Sequence, residues 1–424
     1  MSLKRKSLLS LLFAMLVALV LAACGGGGDS DGASSSSSDS SDSSSSEGSS
    51  EESSGDVRKV VVGGIFDMTG GTGDVGTPYA EGAEAYAEWY AETGTKGLEV
   101  ELIGKDYAYE IPQAQADYQA FRDRDGAAAI VGWGTGDTEA LRQQVAQDEL
   151  PFMSASYSEN LKDLDESPYN FLVAASYSDQ GRAILKWISE NHEGDGTPTL
   201  ALLYNDTAYG RSPIEDIKNA APDFGVEVVD EQIIDVSATE AQSQMMNMAK
   251  AEPDYAIIQQ TWNATAVILN EAHTLGLDTQ FIGLNWSAGE GLLDMVSPEV
   301  AEGFIATLSH VFPYEDYPGL NEIAEYLETK GKTLDDVDQK FVQGWATMKV
   351  MVAGIEAAAD LTDGEITGAH IREGLESLSD YDLGGLSPNV SFSPEKHWGT
   401  EETRLGIIKD GKWEELTGYF SYDD

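Results

Sequence analysis

The feature that most constrains the fold is a repeated alternation of apolar runs and amphipathic stretches through residues 57–424. Residues 59–66 form a mostly apolar run that predicts a buried strand, and residues 79–93 predict a helix directly after it. Later runs carry the same strand signal at residues 98–103, 127–131, 151–154, 199–204, 226–234, 255–259 and 280–284. Strands that alternate with helices form parallel sheets with helices on both faces, so we predict an α/β fold of doubly wound parallel sheets. Ligands of such sheets collect at the carboxyl ends of the strands.

Residues 1–23 are typical of a secretory signal. A basic start at Lys4, Arg5 and Lys6 precedes an uncharged apolar run over residues 8–23, which is short for a membrane span. The run ends in Leu-Ala-Ala-Cys-Gly around Cys24, which resembles a bacterial lipobox, where the cysteine is lipidated and becomes the mature N-terminus. Cys24 is the only cysteine, so the chain forms no internal disulfide. We predict an extracytoplasmic protein, in the periplasm or on the cell surface, anchored through Cys24 to a bacterial membrane.

The segment after Cys24 has the composition of a disordered tether. Residues 25–56 are mainly glycine, serine and acidic residues, without a basic or large apolar side chain. Such a stretch cannot bury enough apolar surface to offset its ordering entropy, so we predict a flexible tether over residues 24–56 with a reach of about 30 Å. The remaining chain is longer than a single hydrophobic core usually supports, and two domains are expected.

The chain is strongly acidic, with a formal net charge of -49 at pH 7. Repulsion of this size excludes nucleic acid as a partner. The acidic residues are spread along the chain, which favours a halophilic protein adapted to concentrated salt, where screening weakens repulsion between surface carboxylates. A specific acidic surface for cations or a basic partner is the alternative interpretation.

The loop after the first predicted strand contains Gly71-x-Gly73-x-x-Gly76, which has the form of a dinucleotide-binding fingerprint. In that fingerprint the first glycine follows the strand directly, whereas residues 67–70 intervene here. An exported protein also has little access to nicotinamide cofactors. A flexible loop with its amides near a ligand, or a plain glycine-rich turn, explains the motif better, and we expect no cofactor.

The histidines give no sign of an active site. The chain has five, at His192, His273, His310, His370 and His397. They lie far apart and outside zinc-binding or serine-hydrolase motifs, so we expect neither a metal site nor an enzyme. An exported hydrolase is the alternative, and a histidine beside Ser156 or Asp137 would favour it.

Two loops at successive strand ends are rich in hydroxyl groups and glycine. Residues 132–138 read Gly-Trp-Gly-Thr-Gly-Asp-Thr, and residues 154–158 read Ser-Ala-Ser-Tyr-Ser. Each alone is also explained by a turn that caps the next helix. Together, at neighbouring strand ends, they offer the several hydrogen-bond donors that suit a carboxylate.

In these loops and in segments on both sides of them, the chain resembles the type I periplasmic binding proteins, in particular the leucine/isoleucine/valine-binding branch that serves ABC importers. Similar segments keep their order and spacing over most of the chain, at residues 69–70, 130–132, 151–158, 178–181, 209–210, 275–283 and 409–413. The resemblance implies two similar lobes joined by three crossing strands near Ala174, Ser309 and Ser391. Lobe 1 then combines residues 57–174 with 310–390, and lobe 2 combines residues 175–309 with 391–424.

The resemblance also implies a solute site in the cleft between the lobes. The matching positions are Thr135, Ser156, Tyr157 and Ser158 for the ligand's carboxylate, Tyr209 and Trp262 for the closing wall, and Val75 and Phe341 for the ligand's side chain. Where the family usually has a glutamate that pairs with the ligand's ammonium, this chain has Asn285, followed by Trp286. An amide supplies no charge, so an α-amino acid loses much of its hold unless Asp137 or another acid takes that role.

Aromatic residues suggest further ligands. They lie at or just beyond predicted strand ends, at Trp133, Tyr157, Tyr177, Tyr209, Trp262 and Trp286. Several rings together stack on an aromatic ligand or cage a quaternary ammonium. We predict a monomeric binding protein that closes on a small solute, first a branched-chain or other hydrophobic amino acid, with an aromatic carboxylate, an amide or a betaine-like solute as alternatives. Its expected partners are an ABC permease and, through the lipid, the membrane; a ligand sensor with the same fold is a further alternative.

Overall fold

The first lobe is built on a parallel sheet. The computed structural model describes residues 57–94 and 96–423. The strands of this sheet are β1 (Arg58–Phe66), β2 (Leu98–Asp106), β3 (Ala127–Gly132), β4 (Phe152–Ser154) and β5 (Asn170–Phe171). They pair in the order β2-β1-β3-β4-β5, and every pair is parallel. Val62, Ile65 and Phe66 of β1 are fully buried, as a strand covered by helices on both faces requires.

The second lobe has a larger, mixed sheet. Its strands are β6 (Thr199–Tyr204), β7 (Glu227–Ile233), β8 (Tyr255–Gln259), β9 (Gln280–Gly283), β10 (Ile305–Leu308), β11 (Arg404–Lys409) and β12 (Lys412–Glu415). The order is β12-β11-β10-β9-β8-β6-β7. Strands β6 to β10 pair in parallel, whereas β11 pairs antiparallel with both β10 and β12. The sheet therefore ends in a hairpin made by the C-terminal part of the chain.

Helices connect and cover the strands. They are α1 (Gly73–Thr93), α2 (Ile111–Ala120), α3 (Thr135–Asp148), α4 (Tyr177–Asn191), α5 (Ala208–Arg211), α6 (Ile214–Ala220), α7 (Gln242–Met248), α8 (Trp262–Leu275), α9 (Glu290–Met295), α10 (Pro298–Ala301), α11 (Pro318–Thr329), α12 (Gln339–Ala359) and α13 (Gly368–Glu376). Within the described ranges, none is long and apolar enough to span a bilayer.

The long helix α12 belongs to the first lobe, although it follows β10 of the second sheet in the chain. It packs along α1, and glycine lets the two backbones approach closely. A Cβ on Gly82 of α1 would overlap the carbonyl of Phe341, and one on Gly344 of α12 would overlap that of Tyr79. The chain thus passes from the first sheet to the second, returns with α12, and goes back at β11.

The predicted α/β fold with two lobes is confirmed. The predicted strands are all found, with small differences at their limits. The predictions missed β5, which has two residues, and the strands β10, β11 and β12. The hairpin turn between β11 and β12 has left-handed backbone at Asp410 (φ 50) and Gly411 (φ 75), which suits a tight antiparallel connection.

The glycine motif forms the beginning of α1. That helix begins at Gly73, earlier than the predicted residue 79. A Cβ on Gly76 would overlap the carbonyl oxygen of Asp67 at the end of β1, so glycine lets the helix start lie against the strand end. The predicted signal, the anchor at Cys24 and the tether lie outside the described residues. The lobe limits at residues 174, 310 and 391 stay a prediction.

Candidate functional site

A small cavity lies where the carboxyl ends of the two sheets face each other. Its empty space, part of which is open to solvent, amounts to about 230 Å³. Its lining residues are Thr72, Tyr109, Trp133, Gly134, Thr135, Ala155, Tyr177, Tyr209, Thr261 and Trp286. The loops after β1, β2, β3 and β4 supply the first-lobe residues up to Ala155, and the starts of α4, α5 and α8 and the turn after β9 supply the second-lobe residues. Its location at strand ends between two lobes is typical of a solute site.

The hydroxyl-rich wall of the first lobe is held by internal hydrogen bonds. The Ser156 hydroxyl donates to Thr135 Oγ1 over 2.8 Å, and both side chains are buried. Thr135 is the first residue of α3, where unpaired backbone N–H groups and the helix dipole favour an anion. Thr135 lines the cavity and Ser156 supports it from behind. This corner can therefore receive a carboxylate.

A second hydrogen-bonded chain fixes Trp133. The buried carboxylate of Asp67 accepts from the backbone N–H and the hydroxyl of Thr72, over 2.9 and 2.6 Å. The indole N–H of Trp133 donates to Thr72 Oγ1 over 2.8 Å. Thr72 thus lines the cavity and also anchors the tryptophan beside it.

The aromatic members of the lining surround much of the cavity. Trp133 and Trp286 pack edge to face with ring centroids 4.7 Å apart, and the Trp286 indole N–H donates to the Tyr177 hydroxyl over 2.9 Å. Tyr177 packs edge to face against Tyr209, with ring centroids 5.5 Å apart. Burial raises the pKa of both tyrosine hydroxyls, which therefore stay neutral. Aromatic faces at these distances offer stacking and cation–π contacts.

Asp137 is the acidic group directly behind this lining. Its side chain is 1% exposed; Oδ1 accepts from the Tyr107 hydroxyl over 2.8 Å, and Oδ2 has no hydrogen-bond partner among the described residues. A Cβ on Gly134 would overlap both Asp137 Oδ1 and the Tyr107 hydroxyl, so glycine lets the carboxyl and its partner lie against the backbone of a lining residue. Burial raises the pKa of Asp137 to about 7, against the opposing effect of the Tyr107 hydrogen bond.

The structure brings Thr135, Tyr209 and Trp286 of the predicted site residues into the lining. Ser156, Asp137 and Tyr157 lie in the layer behind it. The Tyr157 ring stacks on Trp286 at 6.1 Å, and its hydroxyl accepts from Gln343.

Four other predicted site residues lie outside the lining and make contacts elsewhere. The Ser158 hydroxyl donates to Glu139 over 2.7 Å and accepts from Ser212 of the second lobe over 3.1 Å. Trp262 donates its indole N–H to the carbonyl oxygen of Ala288 over 2.6 Å. Val75 and Phe341 are buried in the core of the first lobe. Ligand contacts by these four predicted residues, Ser158, Trp262, Val75 and Phe341, stay a prediction.

Asn285, for which the sequence resemblance implies a glutamate, is 1% exposed. Neither its side-chain oxygen nor its side-chain nitrogen has a hydrogen-bond partner among the described residues. Its backbone is fixed on both sides, because its N–H donates to Gln180 Oε1 over 3.1 Å and its carbonyl oxygen accepts from Lys340 Nζ over 2.7 Å.

Sequence reasoning did not name Thr72, Tyr109 or Thr261 as site residues. Tyr109 has the clearest local signal in the structure, since Ala108 and Tyr109 are consecutive non-glycine residues with positive φ, at 51 and 60. Such strained backbone is often retained at binding sites. The sequence carries no sign of that turn. Thr261 and Thr72 each precede a helix, which by itself indicates only a cap.

Two reciprocal contacts hold the lobes together beside the cavity. Asp74 of α1 accepts from the backbone N–H of Asn263, in the first turn of α8 in the other lobe, over 2.9 Å. Glu290 of the second lobe accepts from the backbone N–H of Gln339, at the start of α12, over 3.1 Å. Each lobe thus offers a carboxylate to the N-terminus of a helix in the other, where the helix dipole favours negative charge.

Two α/β lobes that enclose a small cavity at their strand ends define a two-lobed solute-binding protein. Residues 59–412 match the family described as periplasmic binding protein, and the chain belongs to that family. Membership places it outside the cytoplasm, and family and fold are those of binding proteins.

Solved structures agree with this assignment. An ABC transporter substrate-binding protein from Aeropyrum pernix is 31% identical, with a TM-score of 0.80, over 86% of this chain and 96% of that chain. A branched-chain amino acid ABC transporter protein from Thermus thermophilus, with bound valine, is 24% identical, with a TM-score of 0.80 over the same shares. LivJ from Streptococcus pneumoniae, in complex with isoleucine, is 17% identical, with a TM-score of 0.72, over 86% of this chain and 99% of that chain. No curated protein matches the chain. The predicted family resemblance is confirmed.

Proposed function

We propose that this chain is the lipid-anchored substrate-binding component of an ABC importer, and that it closes on a small solute in the cavity between its lobes. Family membership and the substrate-binding proteins of similar structure support the class. The signal and lipobox pattern ending at Cys24 supports the anchor. The reciprocal contacts of Asp74 and Glu290 support closure, because they exist only when the lobes meet.

The preferred solute is a zwitterion, first a branched-chain or other hydrophobic amino acid. The observation that carries this choice is that Thr135, at the start of α3, lines the cavity, and that the buried carboxyl of Asp137 lies behind the lining residue Gly134. We assign the solute's carboxylate to Thr135 and the balancing of its ammonium to Asp137, which lies against the backbone of the lining residue Gly134. Two of the similar structures contain valine and isoleucine, solutes of this class.

A betaine-like solute is the second candidate. The lining favours it because five of its ten residues are aromatic, and aromatic faces attract a methylated ammonium by roughly 0.5 to 2 kcal/mol per contact. A quaternary ammonium donates no N–H hydrogen bonds, so it does not need the glutamate that Asn285 replaces. Such solutes also fit the acidic composition, which favours life in concentrated salt.

A thermal-shift screen of the purified protein in molar salt tests both candidates. The panel contains branched-chain amino acids, glycine betaine, aromatic carboxylates and amides. A solute at a hundred times its dissociation constant adds about 2.7 kcal/mol of stability, which moves the melting temperature visibly. Stabilisation by the amino acids supports the first candidate, and stabilisation by glycine betaine alone supports the second. If no zwitterion stabilises the protein, the proposed solute class is wrong.

A further inference from the structure

Lys340 is a fully buried lysine at the start of α12. Lysine is almost never fully buried without partners, because an ammonium group loses its hydration there. Lys340 Nζ donates to the carbonyl oxygen of Asn285 over 2.7 Å and to Gln339 Oε1 over 3.0 Å. It also lies 5.0 Å from the ring centroid of Trp286. The contacts with Asn285 and Trp286 cross from the first lobe to the second.

The contacted turn carries a wall of the cavity. Asn285 to Ser287 form a short helical turn after β9, and Trp286 in its middle lines the cavity. The Asn285 N–H is held from the other side by Gln180, whose side-chain oxygen also accepts from Thr307. Gln180 and Thr307 belong to the second lobe, as the turn does, so they hold the turn from within its own lobe. Lys340 therefore supplies its hydrogen bond from the opposite lobe.

The charges around Lys340 explain how it is tolerated. The acids that face it are Asp338, Glu290 and Asp74, which all favour its charged form. Burial opposes that form and lowers the lysine pKa. Asp338 caps α12 in the first lobe, whereas Glu290 belongs to the second. Burial is the largest of these effects and brings the pKa of Lys340 to about 7, so the group keeps its place through hydrogen bonds as well as charge.

We propose that Lys340 is a positioning residue of the solute site, which sets Trp286 in the cavity wall by holding the Asn285 carbonyl from the opposite lobe. This inference rests on the proposed function, because Trp286 matters here as part of the solute site. Its test observes Trp286 directly, in protein without solute and with excess valine, whereas the solute panel measures melting temperatures, so a failure of the panel and a failure of this inference are distinguishable.

The same helix offers a matched control. Lys349 is also buried on α12, but its Nζ pairs with Glu322 Oε2 over 2.6 Å within the region of α11 and α12. Trp345, between the two lysines in sequence, is fully buried and packs against Tyr86 of α1. Replacing a lysine that only pairs with a neighbouring acid should change the surroundings of that lysine and leave Trp286 unchanged.

The experiment is ¹⁹F NMR of protein labelled with 5-fluorotryptophan, for the wild type, Lys340→Met and Lys349→Met. Trp286→Phe and Trp345→Phe assign the two resonances. We expect Lys340→Met to shift or split the Trp286 resonance, with a displaced population raised roughly tenfold, as loss of a buried hydrogen bond implies. Lys349→Met should leave the Trp286 resonance unchanged.

Lys340→Gln keeps a hydrogen-bond donor and replaces Lys340→Met in the experiment if the methionine variant does not fold. It should displace Trp286 less than Lys340→Met does. An unchanged Trp286 resonance in the folded Lys340 variants overturns the inference. An equal displacement of Trp286 by Lys349→Met also overturns it, because the effect is then a general response to losing a lysine from α12.

Discussion

The two walls of the cavity differ in how their polar groups are satisfied. In the first lobe, the lining residues Thr135, Thr72 and Trp133 are hydrogen-bonded, and one oxygen of Asp137 behind them is without a partner among the described residues. In the second lobe, the Tyr209 hydroxyl and both side-chain amide atoms of Asn285 are buried without a partner among the described residues. A buried polar group without a partner costs about 1–3 kcal/mol.

This difference indicates a division of labour. The first wall is preorganised, so a solute can dock there without rearranging hydrogen bonds. The second wall carries polar groups close to the solute site that gain from a new partner, and it brings Trp286 against the first wall. A ligand shifts lobes towards the closed state only through contacts that exist in that state. We therefore expect second-wall changes to act mainly on dissociation and first-wall changes on docking.

The largest expected effect is that of Trp286→Ala. Trp286 belongs to the second lobe but packs against Trp133 and bonds to Tyr177, so its loss opens the wall of the cavity. We expect binding of the solute found by the screen to weaken by at least about 2 kcal/mol, roughly 30-fold, through faster dissociation.

Stopped-flow kinetics measures this prediction. Trp187→Ala, at a partly buried site away from the cavity lining, is the control and should leave both rates unchanged. A Trp286→Ala protein with wild-type dissociation and slower association would reverse the roles assigned to the two walls.

Asp137→Asn should have an intermediate effect that depends on pH. Because burial raises the pKa of Asp137 to about 7, the wild type should bind an ammonium solute more tightly as pH rises through 7, with a plateau above. The asparagine variant should bind about tenfold more weakly at pH 8, and its affinity should lose this pH dependence. Calorimetric titrations at pH 5.5, 7 and 8.5 measure the effect. Equal pH profiles for both proteins would exclude Asp137 as the balancing charge.

Asp137→Asn weakens binding, but it should make the folded protein more stable at high pH. The folded-state pKa of Asp137 lies above its unfolded value of 3.8, so its stabilising contribution is complete at acidic pH and is lost as pH rises through about 7. Asp137→Asn should therefore melt at a higher temperature than the wild type at pH 8, with the difference vanishing towards pH 4. Thermal unfolding at the two pH values checks this, and a variant less stable at pH 8 would contradict it.

Tyr209→Phe should have the smallest effect. Its hydroxyl is buried without a partner among the described residues, so removing it should leave the solute-free protein equally stable or slightly more stable. Binding should weaken by up to about 1 kcal/mol if the hydroxyl bonds to the solute. Melting temperatures with and without solute separate the two effects. A destabilised solute-free variant would show that the hydroxyl already has a partner, and the contrast between the walls would be smaller.

Local patterns were enough for most of the fold and part of the site. Apolar runs predicted the strands that are buried on both faces, and the loops after them contain Thr135, Tyr209 and Trp286 of the lining. Tyr109 was missed because its place depends on a turn with positive φ that the sequence does not signal. Trp262 donates its indole N–H to the carbonyl oxygen of Ala288, and its expected contact with the solute stays a prediction.

The sequence by itself determined the alternation of strands and helices, the acidity and the resemblance to the family. These properties are local or compositional, so they can be read without knowing which distant segments meet. Only the tertiary structure placed α12 against α1, made Asp74 and Glu290 cap helices of the opposite lobes, and set Lys340 beside Trp286. Those contacts join segments far apart in the chain, and the packing of whole helices and sheets decides which side chains they bring together.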